Sequence, residues 1–208
     1  MILLNQFILL LNADFNMGTK DFNILDNIIA KWRLKQVVRY VENGDRVLDF
    51  GCGYQAYFLR HIKNTVTSGI GIDYDTENIK ISNNIKLVKL QFIDKLPLAD
   101  NFLDKIFLLA VIEHIPLTSE FPLLRELRRV LKKGGKIILT TPTPFGKKIL
   151  EFLAFKLKII SAKEIRDHKK YFNYEDFRSI ASRFNFKIVK YKTFQFGINS
   201  ICVMEKDS

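Results

Sequence analysis

Two carboxylates and a pair of glycines hold the spacing most suggestive of chemistry. In Val47-Leu-Asp-Phe-Gly-Cys-Gly-Tyr-Gln-Ala56, Asp49 stands just ahead of a Gly51-Cys-Gly53 turn. A strand that ends in Gly-x-Gly lets the backbone approach a ligand closely. Free N–H groups at the start of a following helix suit an anion such as a carboxylate or phosphate. Asp73 lies twenty residues beyond Gly53, after the run Gly69-Ile-Gly-Ile. At the end of a second strand, a carboxylate there can accept both hydroxyls of an adenosine ribose. So far these residues describe any nucleoside cofactor.

Gly51-Cys-Gly-Tyr-Gln-Ala56 also fits the G-x-G-x-x-A pattern of dinucleotide sites, which many loops match by chance. Asp49 opposes that reading. A carboxylate just before the first glycine would repel a pyrophosphate, whereas it suits a ligand carrying an ammonium group. As a simple turn-capping residue, Asp49 is compatible with either cofactor.

Two histidines are candidates for a general base, because an unperturbed imidazole titrates near neutrality. His114 follows a strongly apolar run, and His168 lies in a Lys-rich stretch after the last parallel strand, on the expected substrate side. Each has a structural alternative: His114 can orient its loop, and His168 can brace the helix that follows. His61 is expected on a helix surface. Glu164, Asp167 and His168 are close in sequence, but three polar residues in a basic loop read as solvated, so no metal set is expected. Cys52 has neither a paired cysteine nor an activating base nearby and is given no nucleophilic role.

These residues need a scaffold, and the apolar pattern supplies one. Short buried runs at Arg46–Phe50, Gly69–Asp73, Ile85–Phe92, Asp104–Val111 and Lys136–Thr141 read as strands. Helical spacing covers Asp21–Glu42, Ala56–Lys63, Thr76–Ser82, Phe121–Leu131 and Tyr174–Phe184, with 145–170 a helical insertion. Phe186–Phe194 and Asn199–Glu205 close the chain as an antiparallel pair. Strands alternating with helices imply an α/β fold, a mostly parallel sheet covered on both faces. The reading is one domain over 1–208, with 1–44 an N-terminal lid or helix and 145–170 a substrate cap.

The 208 residues can bury a sizeable core, and 48% hydrophobic with 26% charged residues is a globular balance. Two cysteines cannot build a disulfide framework, so a reducing, cytoplasmic setting is expected. The apolar start, residues 1–11, lacks a basic beginning and a cleavage site and is too short to span a bilayer. It reads as a lid or docking segment. The net charge is +11, and residues 142–208 hold 14 Lys and Arg against 7 Asp and Glu. A basic C-terminal part suits an acidic substrate or surface, or simply keeps the protein soluble. Within it, Lys147–Ile160 gathers Lys147, Lys148, Glu151 and Lys158 on one side of a helical wheel. It reads as packing over the sheet or as a cap that touches an anionic membrane at its periphery.

Several segments together resemble the class I S-adenosylmethionine-dependent methyltransferases, in particular their small-molecule branch. Val47–Gly53 resembles the first motif of that family and Gly69–Asp73 the second. Leu96-Pro97-Leu98 with Asp104 resembles its approach to strand four, and Val111-Ile-Glu-His114 the segment after that strand. Arg125-Glu-Leu-Arg-Arg-Val-Leu-Lys-Lys-Gly-Gly135 resembles the helix and turn before strand five, and Asp167-His-Lys-Lys-Tyr-Phe172 a late segment. The resemblance runs from about residue 30 to the end.

The resemblance implies a Rossmann-like, doubly wound sheet of seven strands in the order 3-2-1-4-5-7-6, the last antiparallel. It implies S-adenosyl-L-methionine as cofactor. Asp49 and the Gly51 backbone would hold its methionine part and Asp73 its ribose diol, and Tyr74 would lie against adenine. The backbone around Ile93 would meet the adenine edge, and the Ala110 carbonyl the ammonium group. Two positions depart from the pattern. Gln55 replaces a third glycine, and its amide would reach the cofactor carboxylate. Phe92 stands where an Asp is common, with Asp94 as the nearest substitute. The implied activity is methyl transfer to a small-molecule, sugar or lipid-linked acceptor. RNA or other nucleic-acid methylation is the alternative that the basic charge raises. Against it, Glu113-His-Ile-Pro116 stands where base-methylating enzymes carry an Asn/Asp-Pro-Pro-aromatic loop. A cofactor-binding partner subunit without turnover is the third reading, and oligomeric state is left open.

Overall fold

Strand β1 (Arg46–Phe50) sets the logic of the sheet. Val47 packs into the core on one face while Leu48 and Phe50 pack into the core on the other. The same period of two repeats in β5 (Leu103–Leu109), where Ile106 and Leu108 face one core and Phe107 the other. A strand buried on both faces is apolar on most successive residues; the exceptions here are Asp49 in β1 and Asp104-Lys105 at the start of β5.

The computed structural model describes residues 24–152 and 162–207. Besides β1 and β5 its strands are β2 (Ser68–Asp73), β3 (Ile79–Lys80), β4 (Ile85–Lys89), β6 (Leu131–Pro142), β7 (Phe186–Phe194) and β8 (Asn199–Lys206). They form one sheet in the order β3-β4-β2-β1-β5-β6-β8-β7. β4, β2, β1, β5 and β6 run parallel, and β8 lies antiparallel between β6 and β7. Without β3, the other seven strands stand in the expected order 3-2-1-4-5-7-6 with the last one antiparallel.

The eighth strand corrects one expectation. Thr76–Ser82 was expected to be helical, but Ile79 and Lys80 pair antiparallel with Leu87 and Lys86. The Asn78 side chain accepts a hydrogen bond from the Lys89 N–H at 2.8 Å, which ties this segment to the end of β4. The strand expected to run to Phe92 stops at Lys89, where its neighbour β2 also ends; the Leu90 N–H makes the closing bond to the Asp73 carbonyl.

Helices α1 (Ile24–Val37) and α2 (Tyr57–Ile62) lie on one face, with Val37, Phe58, Leu59 and Ile62 in its core. Helices α3 (Leu117–Val130) and α6 (Tyr174–Arg183) cover the other, burying Leu123, Leu124, Leu127 and Val130 at helical spacing beside Phe177 and Ile180. Each such side chain contributes roughly 1.5–3 kcal/mol on burial. α4 (Pro144–Glu151) and α5 (Ala162–Asp167) follow β6. α4 is capped by the Thr143 hydroxyl, which accepts from the Gly146 N–H. A capping box between Asn173 and Asp176 starts α6. Residues 1–23 of the expected 1–44 lid or helix, and much of the 147–160 wheel, fall outside the described residues.

Two sequence segments prove to be halves of one clip. Arg129 donates to both Glu126 carboxylate oxygens and to the Leu96 and Leu98 carbonyls, and the Leu96 N–H donates back to Glu126 at 2.8 Å. The clip fixes the approach to β5 against α3. At the opposite edge of the sheet from the glycine turn, buried Lys105 pairs with Asp45 at 3.0 Å and Glu42 at 3.2 Å.

Candidate functional site

The parallel strands end together on one edge, and there the order reverses on either side of β1. Ligands in open α/β sheets bind in such a crevice. β1 leaves it through Gly51, at φ +78°, and Gly53, at φ +67°. The Gly51 and Cys52 N–H groups both donate to the Ile72 carbonyl, at 2.8 and 3.2 Å. A Cβ on Gly51 would sit 2.4 Å from Val111, whereas one on Gly53 would meet nothing within 4 Å. Gly51 is therefore required by packing as well as by φ, and Gly53 leaves space open.

Asp73 ties β2 to this turn. Its Oδ2 accepts from the Gly53 N–H at 2.8 Å and its Oδ1 from the Asp75 N–H at 2.9 Å. Each carboxylate oxygen keeps further acceptor capacity. Asp49 is buried, and its Oδ1 has no hydrogen-bond partner among the described residues. Burial, and then the charge of Asp73, pushes its carboxyl pKa up to about 8. A buried carboxylate oxygen without a partner suits a cationic group such as an ammonium. Burial, with help from Asp49 and Asp73, also holds the Cys52 thiol far above its usual range, so it stays protonated and unreactive.

The other expected cofactor residues ring the same edge. Tyr74, directly after β2, is 72% exposed, and Ile93, in the segment that follows β4, is 79% exposed, with Asp94 exposed beside it. Phe92 turns inward and meets Phe50 edge-on, with ring centroids 6.1 Å apart, so no carboxylate could replace it without loss of packing. Ala110 adopts φ +59° directly after β5, with its N–H held by the Thr140 carbonyl at 2.9 Å. Gln55 precedes a left-handed Ala56 and lines a cleft of about 240 Å³ with Tyr54, Arg60, Thr76, Glu77 and Ile79.

The two histidines, 54 residues apart in sequence, come together. Their ring centroids are 4.7 Å apart. His114 Nδ1 lies 3.2 Å from Asp167, and His168 Nδ1 lies 2.9 Å from the Tyr171 hydroxyl. Burial, and then the neighbouring His114, lowers the His168 pKa to about 4. Glu113, fully buried beside them, has its pKa raised by burial. Sequence reasoning did not single out Glu113; its place within an apolar segment was the available signal. His61 is exposed on α2, away from this group.

Comparison with known proteins gives this edge its context. Residues 25–191 match the family described as a methyltransferase domain. The chain belongs to the class I S-adenosylmethionine-dependent methyltransferases. None of the curated proteins matches the sequence. Among solved structures, the Haloferax volcanii chain in complex with the Trm112 methyltransferase activator is similar, with TM-score 0.65, 17% identity and coverage of 86% of this chain and 89% of that one. A SAM-dependent methyltransferase from Archaeoglobus fulgidus gives 0.64 and 18%, covering 86% and 94%. One from Mesorhizobium loti gives 0.60 and 15%, covering 85% and 98%. At these identities the structures speak for the fold. The methyltransferase's own residues must therefore carry any statement about its cofactor contacts and acceptor.

Proposed function

We propose that this methyltransferase uses S-adenosylmethionine to methylate a small-molecule, sugar or lipid-linked acceptor at the carboxyl edge of its sheet. The observation that carries the reading is the buried Asp49, its Oδ1 without a partner among the described residues, beneath a glycine turn whose N–H is locked to Asp73. When bound, the cofactor supplies a methyl group already activated on a sulfonium. Asp49, the Gly51 backbone and the Ala110 carbonyl would hold its methionine part, with the Gln55 amide near its carboxylate. Asp73 would take the ribose diol. The exposed side chains of Tyr74 and Ile93 would flank adenine, and Asp94 would meet its amino group.

The residues left for the acceptor side are His114 and His168. Little catalytic chemistry is required of them, since alignment supplies most of the acceleration. A hydroxyl acceptor would gain from a base. The Asp167 carboxylate orients His114 through Nδ1, which makes His114 the better base of the two; the low pKa of His168 leaves it neutral and weakly basic. Lys147 on α4 lies over the Tyr171 ring at 5.5 Å, so the basic part of the chain adjoins this side. Exposed Phe145 and Phe152 flank it. That combination supports an acidic or lipid-linked acceptor met at a membrane periphery. Among the described residues no helix is long and apolar enough to cross a membrane.

Calorimetry with S-adenosylmethionine, its demethylated product and NAD tests the cofactor, and a screen of sugar, lipid-linked, small-acid and RNA acceptors with labelled cofactor tests the rest. Binding of the first two ligands and label on a small or lipid-linked acceptor are expected. Tight NAD binding alone, or label only on RNA, would overturn the reading.

A further inference from the structure

Glu113, His114 and His168 offer ligand atoms that all lie within 4.8 Å of one another. Glu113 is fully buried, and among the described residues neither carboxylate oxygen has a partner at good hydrogen-bond geometry; the Thr141 hydroxyl is its polar neighbour and works only weakly against the effect of burial. Such a group is costly to leave alone, because a buried carboxylate is normally paired, hydrogen-bonded or coordinated to a metal. It sits against two imidazoles, which are neutral metal ligands when unprotonated.

Each imidazole is braced from behind. One ring nitrogen of His114 is engaged by Asp167 and one of His168 by the Tyr171 hydroxyl, at 3.2 and 2.9 Å. This is the arrangement that fixes the tautomer and direction of ligating histidines and leaves the second nitrogen for a cation. The backbone holds the two loops together. The Lys169 and Lys170 N–H groups both donate to the Glu113 carbonyl, at 2.6 and 3.4 Å. His168, one residue before, is thereby anchored beside Glu113 by main chain. The lysines of this loop already have carboxylate partners: Lys169 pairs with Asp167 at 2.9 Å and Lys170 with Asp176 at 3.0 Å. Arg33 on α1 also influences Glu113 and His168, and its positive field works against a cation. Its cost is set against three ligands already in place.

We infer that Glu113, His114 and His168 form a binding site for one divalent transition-metal cation. Two imidazoles and one carboxylate suit Zn²⁺ and its first-row neighbours better than the all-oxygen preference of Mg²⁺ or Ca²⁺. Three protein ligands leave a coordination position open. Holding an acceptor oxygen there, in place of His114 acting as a free base, is the one part of this inference that rests on the methyl-transfer reading above; the cation site does not depend on it.

The test uses the full chain, stripped with a chelator and titrated with Zn²⁺ by calorimetry, without cofactor or acceptor. One equivalent is expected to bind at micromolar or tighter Kd, with Mg²⁺ at least tenfold weaker. His168→Ala and His114→Ala should each weaken Zn²⁺ binding by about 10- to 100-fold, the usual scale for disturbing a metal site. His61→Ala should leave it unchanged. Glu113→Gln should act like the histidine variants, and melting curves of the metal-free proteins identify any variant that fails to fold. No saturable Zn²⁺ binding, or stoichiometric binding that survives both histidine variants, would overturn the site. Because no cofactor is present, a failed titration leaves methyl transfer untouched. Failure to bind S-adenosylmethionine would likewise leave the metal site standing.

Discussion

The backbone N–H of Gly53 donates to Asp73 Oδ2 at 2.8 Å, so the glycine turn after β1 and the carboxylate ending β2 form a single unit. Asp73 also accepts from the Asp75 N–H, which turns the chain away from the edge. A residue assigned to a ribose therefore also shapes the turn assigned to the methionine part of the cofactor. Change at Asp73 should be felt at both ends of the ligand.

Asp73→Ala removes two charge-assisted acceptors and both turn bonds. We expect S-adenosylmethionine affinity to fall by roughly 2–4 kcal/mol, or about 30- to 1000-fold in Kd. Asp73→Asn keeps one acceptor oxygen and should fall between. Calorimetry on folded variants measures both, and an Ala variant with wild-type affinity would place the ribose elsewhere.

Gly51 carries two constraints that can be separated. At φ +78° any side chain is strained, and a Cβ also meets Val111 at 2.4 Å. Gly51→Ala should destabilise the fold by about 1–3 kcal/mol. Val111→Ala in the same chain should recover the steric part and leave the backbone part. A double-mutant cycle by chemical denaturation reads the coupling, and strict additivity would mean that Val111 moves aside freely.

The sheet order was legible because each parallel strand is buried on both faces and reads as a short apolar run. Asp49, Gly51 and Asp73 were legible because a strand end, a tight turn and a carboxylate need those residue types. The strand at Ile79–Lys80 was not, since two residues carry no period and the pairing with Leu87 and Lys86 is a contact with another strand. Nor was the meeting of Glu113 with His168. It depends on main-chain bonds from Lys169 and Lys170 to a carbonyl, which no side chain advertises. The Arg129 clip lay between: both of its halves were visible, but not their contact.

Asp49 should leave a mark on the pH dependence of stability. Its carboxyl pKa is about 8 in the folded chain, against about 3.9 for an unperturbed Asp. Between these values the native state holds a proton that the unfolded state has lost, so stability falls as pH rises from about 4 to 8. Asp49→Asn removes this dependence. The ligand-free variant should match wild type near pH 4 and melt higher at pH 8, by roughly 2–4 °C for each kcal/mol gained. The same variant should bind S-adenosylmethionine more weakly, having lost the carboxylate for its ammonium group. Melting scans and calorimetry together check the crossed signature; a variant less stable at pH 8 would show that the Asp49 charge already has a partner.

The exposed aromatic residues near the basic flank make the last prediction. Phe145 and Phe152, at the two ends of α4, are 60% and 53% exposed, with exposed Lys147 and Lys148 between them. Phe196, in the turn joining β7 to β8, is 89% exposed and faces Trp32 on α1 at 6.5 Å. Gly197 lies against Phe145, so this turn and α4 are neighbours. Aromatic side chains beside lysines suit an anionic interface, where each lysine contributes about 1 kcal/mol at low ionic strength and the rings enter the headgroup region. The full chain should therefore cosediment with vesicles containing anionic lipid, bind neutral vesicles poorly, and dissociate as salt rises. Phe145→Ser with Phe152→Ser should reduce binding at least tenfold while the melting temperature holds, since neither ring is in the core. Phe196→Ser tests the turn separately. Equal binding to neutral and anionic vesicles, or none to either, would sink the membrane contact and leave an acceptor free in solution.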